Sequence, residues 1–248
     1  MAGHSKFKNI QFRKGAQDKK RARVFSRLAR EITVAARQGA PRPEDNPRLR
    51  TAIQAARAAN MPGDNIQRAI KRSSNSDTAN YEEVRYEGFG NHGVGVIVET
   101  LTDNRNRTAG DIRSIFSKYG GSLGENGSVS FMFDHVGAVV YPSSVASADD
   151  MLETAIEVGA NECDSREGLH ELFCATDRLH QVAKALEDRY GEPQSATLVW
   201  KPQSTVPLDE DAAKTLIAML DALDDNDDVQ TFHANFDVPD DVLEKLSS

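Results

Sequence analysis

Residues 137–200, GAVVYPSSVASADDMLETAIEVGANECDSREGLHELFCATDRLHQVAKALEDRYGEPQSATLVW, decide the fold. The stretch opens on Gly137 to Tyr141, a short apolar run with the β-branched content of a strand. Ala148 to Val158 reads as a helix, with Asp149 and Asp150 at its start, where the positive end of the helix dipole favours carboxylates. Glu162 and Leu169–Ala175 mark two strands paired around Arg166-Glu167-Gly168. Arg178 to Tyr190 is a second helix, and Ala196 to Trp200 closes the segment as a strand. The order βαββαβ is the ferredoxin-like arrangement.

The flanks carry a second, interrupted series. On the N-terminal side Val94–Leu101 reads as a strand. Arg105–Tyr119 reads as a helix with Ile112, Ile115 and Phe116 inward and Arg113 outward, and Ser128–Phe133 as a further strand. On the C-terminal side Asp209–Leu223 is a helix and Val229–His233 a strand. That last pair is too short to fold alone, so it completes the pattern begun at Tyr81. The expected domain is therefore discontinuous, residues 81–134 plus 203–248, with residues 135–202 inserted. Ahead of both, residues 1–80 predict a helical domain: Gln17–Gln38, then a helix opened by Asn46-Pro47, with Asn as cap and Pro at the first helical position, then a short helix capped by Asp64 and running to Arg72. The polar run Ser73–Thr78 reads as a linker. The fold class is α+β: an N-terminal three-helix domain followed by two ferredoxin-like α/β domains, the last inserted into the middle one.

The charge is split along the same boundary. Residues 1–80 hold 18 Lys and Arg against 6 Asp and Glu, whereas residues 81–248 hold 12 against 32. A basic module joined to acidic ones points to an anionic polymer as its partner, read here as nucleic acid. In the helix Gln17–Gln38, Lys20, Arg23, Arg27, Arg30 and Arg37 form a stripe about 100° wide, opposite the apolar Phe25, Leu28 and Ile32 face. No acids on the stripe compensate it. With Lys19 beside it, the stripe is the candidate phosphate-facing surface, and reversing Arg23, Arg27 and Arg30 to Glu should weaken binding and flatten its salt dependence. Lys6, Lys8, Arg13 and Lys14 lie ahead of it, interleaved with Phe7, Ile10 and Phe12, which either stack on unpaired bases or pin the segment to the helices. Arg105 and Arg107 sit at a strand-to-helix junction. There they either meet a phosphate at the helix N-terminus or pair with nearby acids.

Other motifs do not carry function. Gly88-Phe89-Gly90-Asn91-His92-Gly93 matches G-x-G-x-x-G, but a strand follows it where a dinucleotide site needs a helix, so a hairpin turn is expected. Asp224-Asp225-Asn226-Asp227-Asp228 fails as a calcium loop, having Val229 at the sixth position and Asn235 at the twelfth, and reads as a solvated acidic turn that repels nucleic acid. Six scattered histidines form no metal-ligand pattern. No nucleophile with an oriented base is evident, so no catalytic residue, metal, cofactor or small-molecule substrate is assigned. Cys163 and Cys174 read as two buried free thiols. With neither a secretory signal nor an apolar run long enough to cross a membrane, the expected location is cytoplasmic.

A resemblance sharpens this reading. Met1-Ala2-Gly3-His4-Ser5-Lys6 with Arg13-Lys14, Gln17-Asp18 and Lys20-Arg21 resembles the opening of the YebC family. Asn46-Pro47-Arg48-Leu49-Arg50, Asn60-Met61-Pro62, Tyr86-Glu87-Gly88, Leu101-Thr102-Asp103-Asn104-Arg105-Asn106-Arg107-Thr108 and Gly120 to Val129 are similar to that family too. Phe7 and Phe12 stand where the family commonly has Trp and His, and Ala40-Pro41-Arg42 replaces a glycine-rich stretch. The resemblance implies a three-domain build and a non-enzymatic regulator of gene expression. It has two branches: DNA-binding transcriptional regulators, and translation factors that bind ribosomal RNA on the ribosome and relieve stalling, notably at proline runs. An enzyme acting on nucleic acid and a purely protein-binding scaffold are the readings set against it.

Overall fold

The computed structural model of the chain describes residues 17–74, 80–166, 168–239, 242 and 245; the side chains of residues 17–20 are outside that description. The chain divides into two compact units, Met1–Glu31 with Asn75–Asp134 and Lys201–Ser248, and Ile32–Ser74 with His135–Trp200. The helical segment expected as one domain, 1–80, is thus shared between them at Glu31/Ile32. The burial pattern gives the reason. In helix α1 (Gln17–Gln38), Ile32, Thr33, Val34, Ala35 and Ala36 are buried, while no described side chain before Ile32 is fully buried.

In the first unit, β1 (Glu82–Phe89) and β2 (Gly95–Thr102) form an antiparallel hairpin in the register Glu82↔Thr102 to Phe89↔Gly95. The expected hairpin turn is present at Asn91-His92-Gly93, where His92 takes a left-handed φ of 57° and Gly93 one of 77°. After α4 (Arg105–Lys118), the two-residue strand β3 (Ser122–Leu123) pairs with the end of β1. At that closure a Cβ on Gly88 would lie 2.6 Å from the Ser122 carbonyl oxygen and 2.7 Å from the Phe116 ring, so only glycine lets the two strands meet there. From the far end of the sequence, the two-residue strand β8 (Val206–Pro207) leads to α7 (Glu210–Asp224), and β9 (Val229–Ala234) then pairs with β2. The sheet order is β3-β1-β2-β9, with the hairpin in the middle. One core joins Val96 and Val98 of β2 to Ile112 and Phe116 of α4 and Leu216 and Leu220 of α7.

The strand expected over Ser128–Phe133 is instead a single 3₁₀ turn, Ser130–Met132, leading into β4 (Phe133–Pro142). The fully buried Glu87 carboxylate causes this. It accepts hydrogen bonds from the backbone N–H groups of Val129 (3.0 Å) and Ser130 (2.9 Å), donors that a strand would have used in its ladder. Burial pushes the Glu87 carboxyl up, but these bonds and the Arg85 charge hold it below the ordinary carboxylate value.

In the second unit, β4, α5 (Ala148–Val158), β5 (Glu162–Arg166), β6 (Leu169–Cys174), α6 (Leu179–Tyr190) and β7 (Ser195–Pro202) follow the expected βαββαβ order. The sheet runs β5-β6-β4-β7, the ferredoxin-like arrangement. Val139 and Tyr141 of β4 and Leu172 of β6 pack with Met151 and Ala155 of α5 and Val182 and Leu186 of α6. Cys163 lies opposite Leu172 and Cys174 opposite Gly137, so the thiols do not face each other and both are free. Cys174 is buried as expected but Cys163 only half-buried, and burial raises both thiols above their ordinary value.

The remaining helices of this unit are α2 (Pro47–Ala58) and α3 (Gly63–Arg72). Asn46 holds α2 as foreseen: its Oδ1 accepts from the Leu49 N–H (3.0 Å). Its Nδ2 also donates to the carbonyls of Ala35 (2.8 Å) and Ala40 (2.9 Å), tying the end of α1 to the start of α2. Asn46→Ala should therefore cost about 2 kcal/mol, the upper end for a helix cap, read as a lowered urea midpoint. Asp64 does not cap α3; Pro62 occupies that position without a side-chain bond, and Asp64 lies in the first turn. Among the described residues no helix is long and apolar enough to cross a membrane.

Candidate nucleic-acid interface

Of the residues singled out for phosphate contact, Lys6, Lys8, Arg13 and Lys14 lie outside the described residues. Lys19 and Lys20 sit in the first turn of α1, their side chains undescribed. The middle of the stripe is described, and it is occupied. Arg23 forms an ion pair with Asp225. Arg27 binds the Asp224 carboxylate at 2.8 Å and also donates to the Asp224 carbonyl. Arg30 donates to the carbonyls of Asp227 (2.7 Å) and Leu101 (3.2 Å), lies 3.4 Å from the Asp228 carboxylate, and stacks over the Tyr81 ring at 5.1 Å. The acidic run between α7 and β9 is therefore not a solvated turn. It receives three successive arginines of α1, because residues four and three apart share one helix face.

Asp228 is the fixed point of this cluster. Its Oδ2 accepts from Arg107 (2.7 Å) and from the Thr108 hydroxyl (2.7 Å), whose oxygen lies 2.7 Å from that of Thr102. Its backbone carbonyl accepts from the Leu101 N–H at 2.8 Å, locking the turn to the end of β2. Burial pushes the Asp228 carboxyl up. The hydrogen bonds from Arg107 and Thr108 and the charges of Arg107 and Arg30 outweigh it and hold the group below the ordinary carboxylate value. The same contacts, Asp228 first and Asp103 second, raise the Arg107 guanidinium above its usual value.

The junction that left two readings open now separates by residue. Asn104 caps α4, accepting from the Arg107 N–H at 3.1 Å. Arg107 spends its guanidinium on Asp103 (2.9 Å) and Asp228. Arg105 is 66% exposed with Glu82 at 4.0 Å, beside an open groove lined by Glu82, Tyr86, Asp103, Asn104 and Asn106. Arg37, the last residue of the stripe, belongs to the second unit and is exposed one turn beyond Thr33, whose hydroxyl donates to the Ala69 carbonyl of α3 at 2.9 Å. It therefore lies on the face of α1 that meets α3; Arg68, Lys71 and Arg72 of α3 are exposed as well.

The sequence reading missed the anchor itself. A visible signal existed: a stripe of arginines without local acids and, 200 residues on, a five-residue acidic run directly after an apolar helix. Those acids also sit at the negative end of the α7 dipole, where carboxylates are locally disfavoured, which calls for a cationic partner. Among the histidines, His170 is buried, with Nε2 at 3.0 Å from the Ala146 carbonyl and Nδ1 at 2.7 Å from the Ser165 hydroxyl. A carbonyl can only accept, so Nε2 donates to it; the two contacts fasten β5 and β6 to the loop before α5.

Helices of basic surplus followed by two four-stranded antiparallel sheets, each with two helices in its core, define an α+β protein whose second sheet is inserted into the first. The family description "TACO1/YebC protein N-terminal domain" matches residues 5–76, and "TACO1/YebC second and third domain" matches residues 81–236. The chain belongs to the TACO1/YebC family. It is similar to the crystal structure of a conserved hypothetical protein, Aq1575, from Aquifex aeolicus, at 45% identity and a TM-score of 0.82, over 90% of this chain and 92% of that one.

Proposed function

We propose that the chain is a non-enzymatic, cytoplasmic nucleic-acid-binding regulator of gene expression. One observation carries the reading. With the α1 arginines set against the acidic turn, residues 32–74 still hold eight basic and three acidic side chains, and Arg37, Arg68, Lys71 and Arg72 of this segment are exposed. Lys6, Lys8, Arg13, Lys14, Lys19 and Lys20 add to the same surplus. Such groups contact phosphates and give affinity without sequence choice. Resemblance to transcriptional regulators supports duplex DNA as the polymer.

A second reading, a translation factor on ribosomal RNA, is favoured by a different observation. Residues 81–248 carry 20 more acids than bases, and so much negative charge is repelled by a long duplex. It is better accommodated where folded RNA presents its phosphates to one end of the protein. Competition of ribosomes against duplex DNA for the purified chain separates the two.

The test of nucleic-acid binding is the triple variant Arg68→Glu, Lys71→Glu, Arg72→Glu. Affinity for duplex DNA or RNA at low salt should fall about 30-fold or more, and the slope of log affinity against log salt should flatten by about 2–3, because fewer counterions are released. Unchanged affinity and slope in the folded variant would remove this surface from the reading. Failure of the unaltered chain to bind either polymer would remove the reading itself.

A further inference from the structure

The acidic turn meets the arginines as a polyanion would. Asp224 and Asp225 present carboxylates, and Asp224, Asn226 and Asp227 present backbone carbonyls, to a row of guanidinium groups spaced one helical turn apart. Three features make part of this contact releasable. The acids are graded: the side chains of Asp225, Asp224 and Asp228 are 58%, 26% and 9% exposed, and Arg23, at 36%, is more exposed than Arg27 (13%) or Arg30 (18%), so the outer end of the row is the weaker one. The fit is incomplete, since the Arg27 Nε is buried without a hydrogen-bond partner among the described residues. And no described side chain of α1 before Ile32 is fully buried, while Arg23 and Arg27 meet the turn through ion pairs and hydrogen bonds, which a competing anion can replace.

Resting on the nucleic-acid reading above, we infer that residues 224–227 are an autoinhibitory pseudo-ligand that occupies Arg23 and Arg27 and is displaced when nucleic acid binds. Arg30, with Asp228, is the hinge that stays in place. The arrangement raises the threshold for binding: a polymer must present enough phosphates to outcompete two carboxylates already in contact. Isolated phosphates and short oligonucleotides fail that threshold, and long or folded polymers pass it.

The test is Asp224→Asn together with Asp225→Asn in the full chain. Both positions end α7, where loss of negative charge suits the helix dipole, and neither belongs to the Asp228 network. Titrated with single-stranded RNA and with duplex DNA, the variant should bind about 3- to 30-fold more tightly than the unaltered chain, the range expected for removing two partly exposed ion pairs. Its salt slope should steepen by about 1–2, since no displaced carboxylates are left at these positions to take up cations when the polymer binds. Adding Arg23→Gln and Arg27→Gln to the variant should abolish the gain. Equal affinity of variant and unaltered chain, both binding, overturns the inference and leaves the nucleic-acid reading standing. Binding by neither overturns both. Hydrogen exchange on the unaltered chain gives a check that needs no variant: amides of residues 224–227 should lose protection when RNA or DNA is bound, and unchanged protection in a saturated complex counts against displacement.

Discussion

Replacing Asp228 with Asn should lower unfolding stability by about 2–3 kcal/mol, and Tm by roughly 5–10 °C. The carboxylate is nearly buried and holds Arg107, Thr108 and Arg30 at once, while its backbone fastens the turn to β2. Removing one member of a buried pair costs about 3–5 kcal/mol when the other charge is stranded; Arg107 is about half exposed and rehydrates, which reduces the cost. The pH dependence identifies the mechanism. An Asp held below its unfolded value of about 3.9 contributes stability that is present above that value and lost as pH falls through the folded one. The gap between the unaltered chain and Asp228→Asn, measured by urea unfolding, should be full at neutral pH and close steadily below about pH 4. A gap that stays constant to pH 2 would mean that the ionised carboxylate is not the source.

Arg30→Glu should be more damaging, by about 3–5 kcal/mol. A carboxylate in this position faces the carbonyls of Leu101 and Asp227 and the Asp228 carboxylate, and loses its cation–π contact with Tyr81. Arg30→Gln keeps a donor for the two carbonyls and should cost about half as much. This changes how the triple reversal of Arg23, Arg27 and Arg30 must be read. Loss of nucleic-acid binding in that variant would follow from disruption of the first unit as readily as from loss of phosphate contacts. Circular dichroism melts on Arg30→Glu and Arg30→Gln measure the structural share, and the α3 reversals measure the binding share.

Much of the architecture was legible before any coordinates. The βαββαβ run over 137–200, the return of the last helix and strand to complete the first sheet, the Asn46 cap and the Gly88–Gly93 hairpin all rest on local signals: strand length, apolar spacing and turn chemistry. The failures have physical causes too. Ser128–Phe133 has strand composition, but the buried Glu87 draws its N–H groups away. Asp64 had the right residue type for a cap but lies two positions past Pro62, which holds that place. The candidate site was half legible. Its cations were identified by type and spacing, but the carboxylates they meet were read as solvent-facing, because nothing near them in the sequence explains their number.

The order of helices and strands, the inserted domain and the opposed charges of the two parts of the chain were determined by the sequence itself, because periodicity and formal charge are properties of neighbouring residues. Only the tertiary structure decided which arginines of the stripe meet carboxylates. Arg23 and Asp225 are 202 residues apart along the chain and in contact in space, and Coulomb attraction depends on that second distance alone.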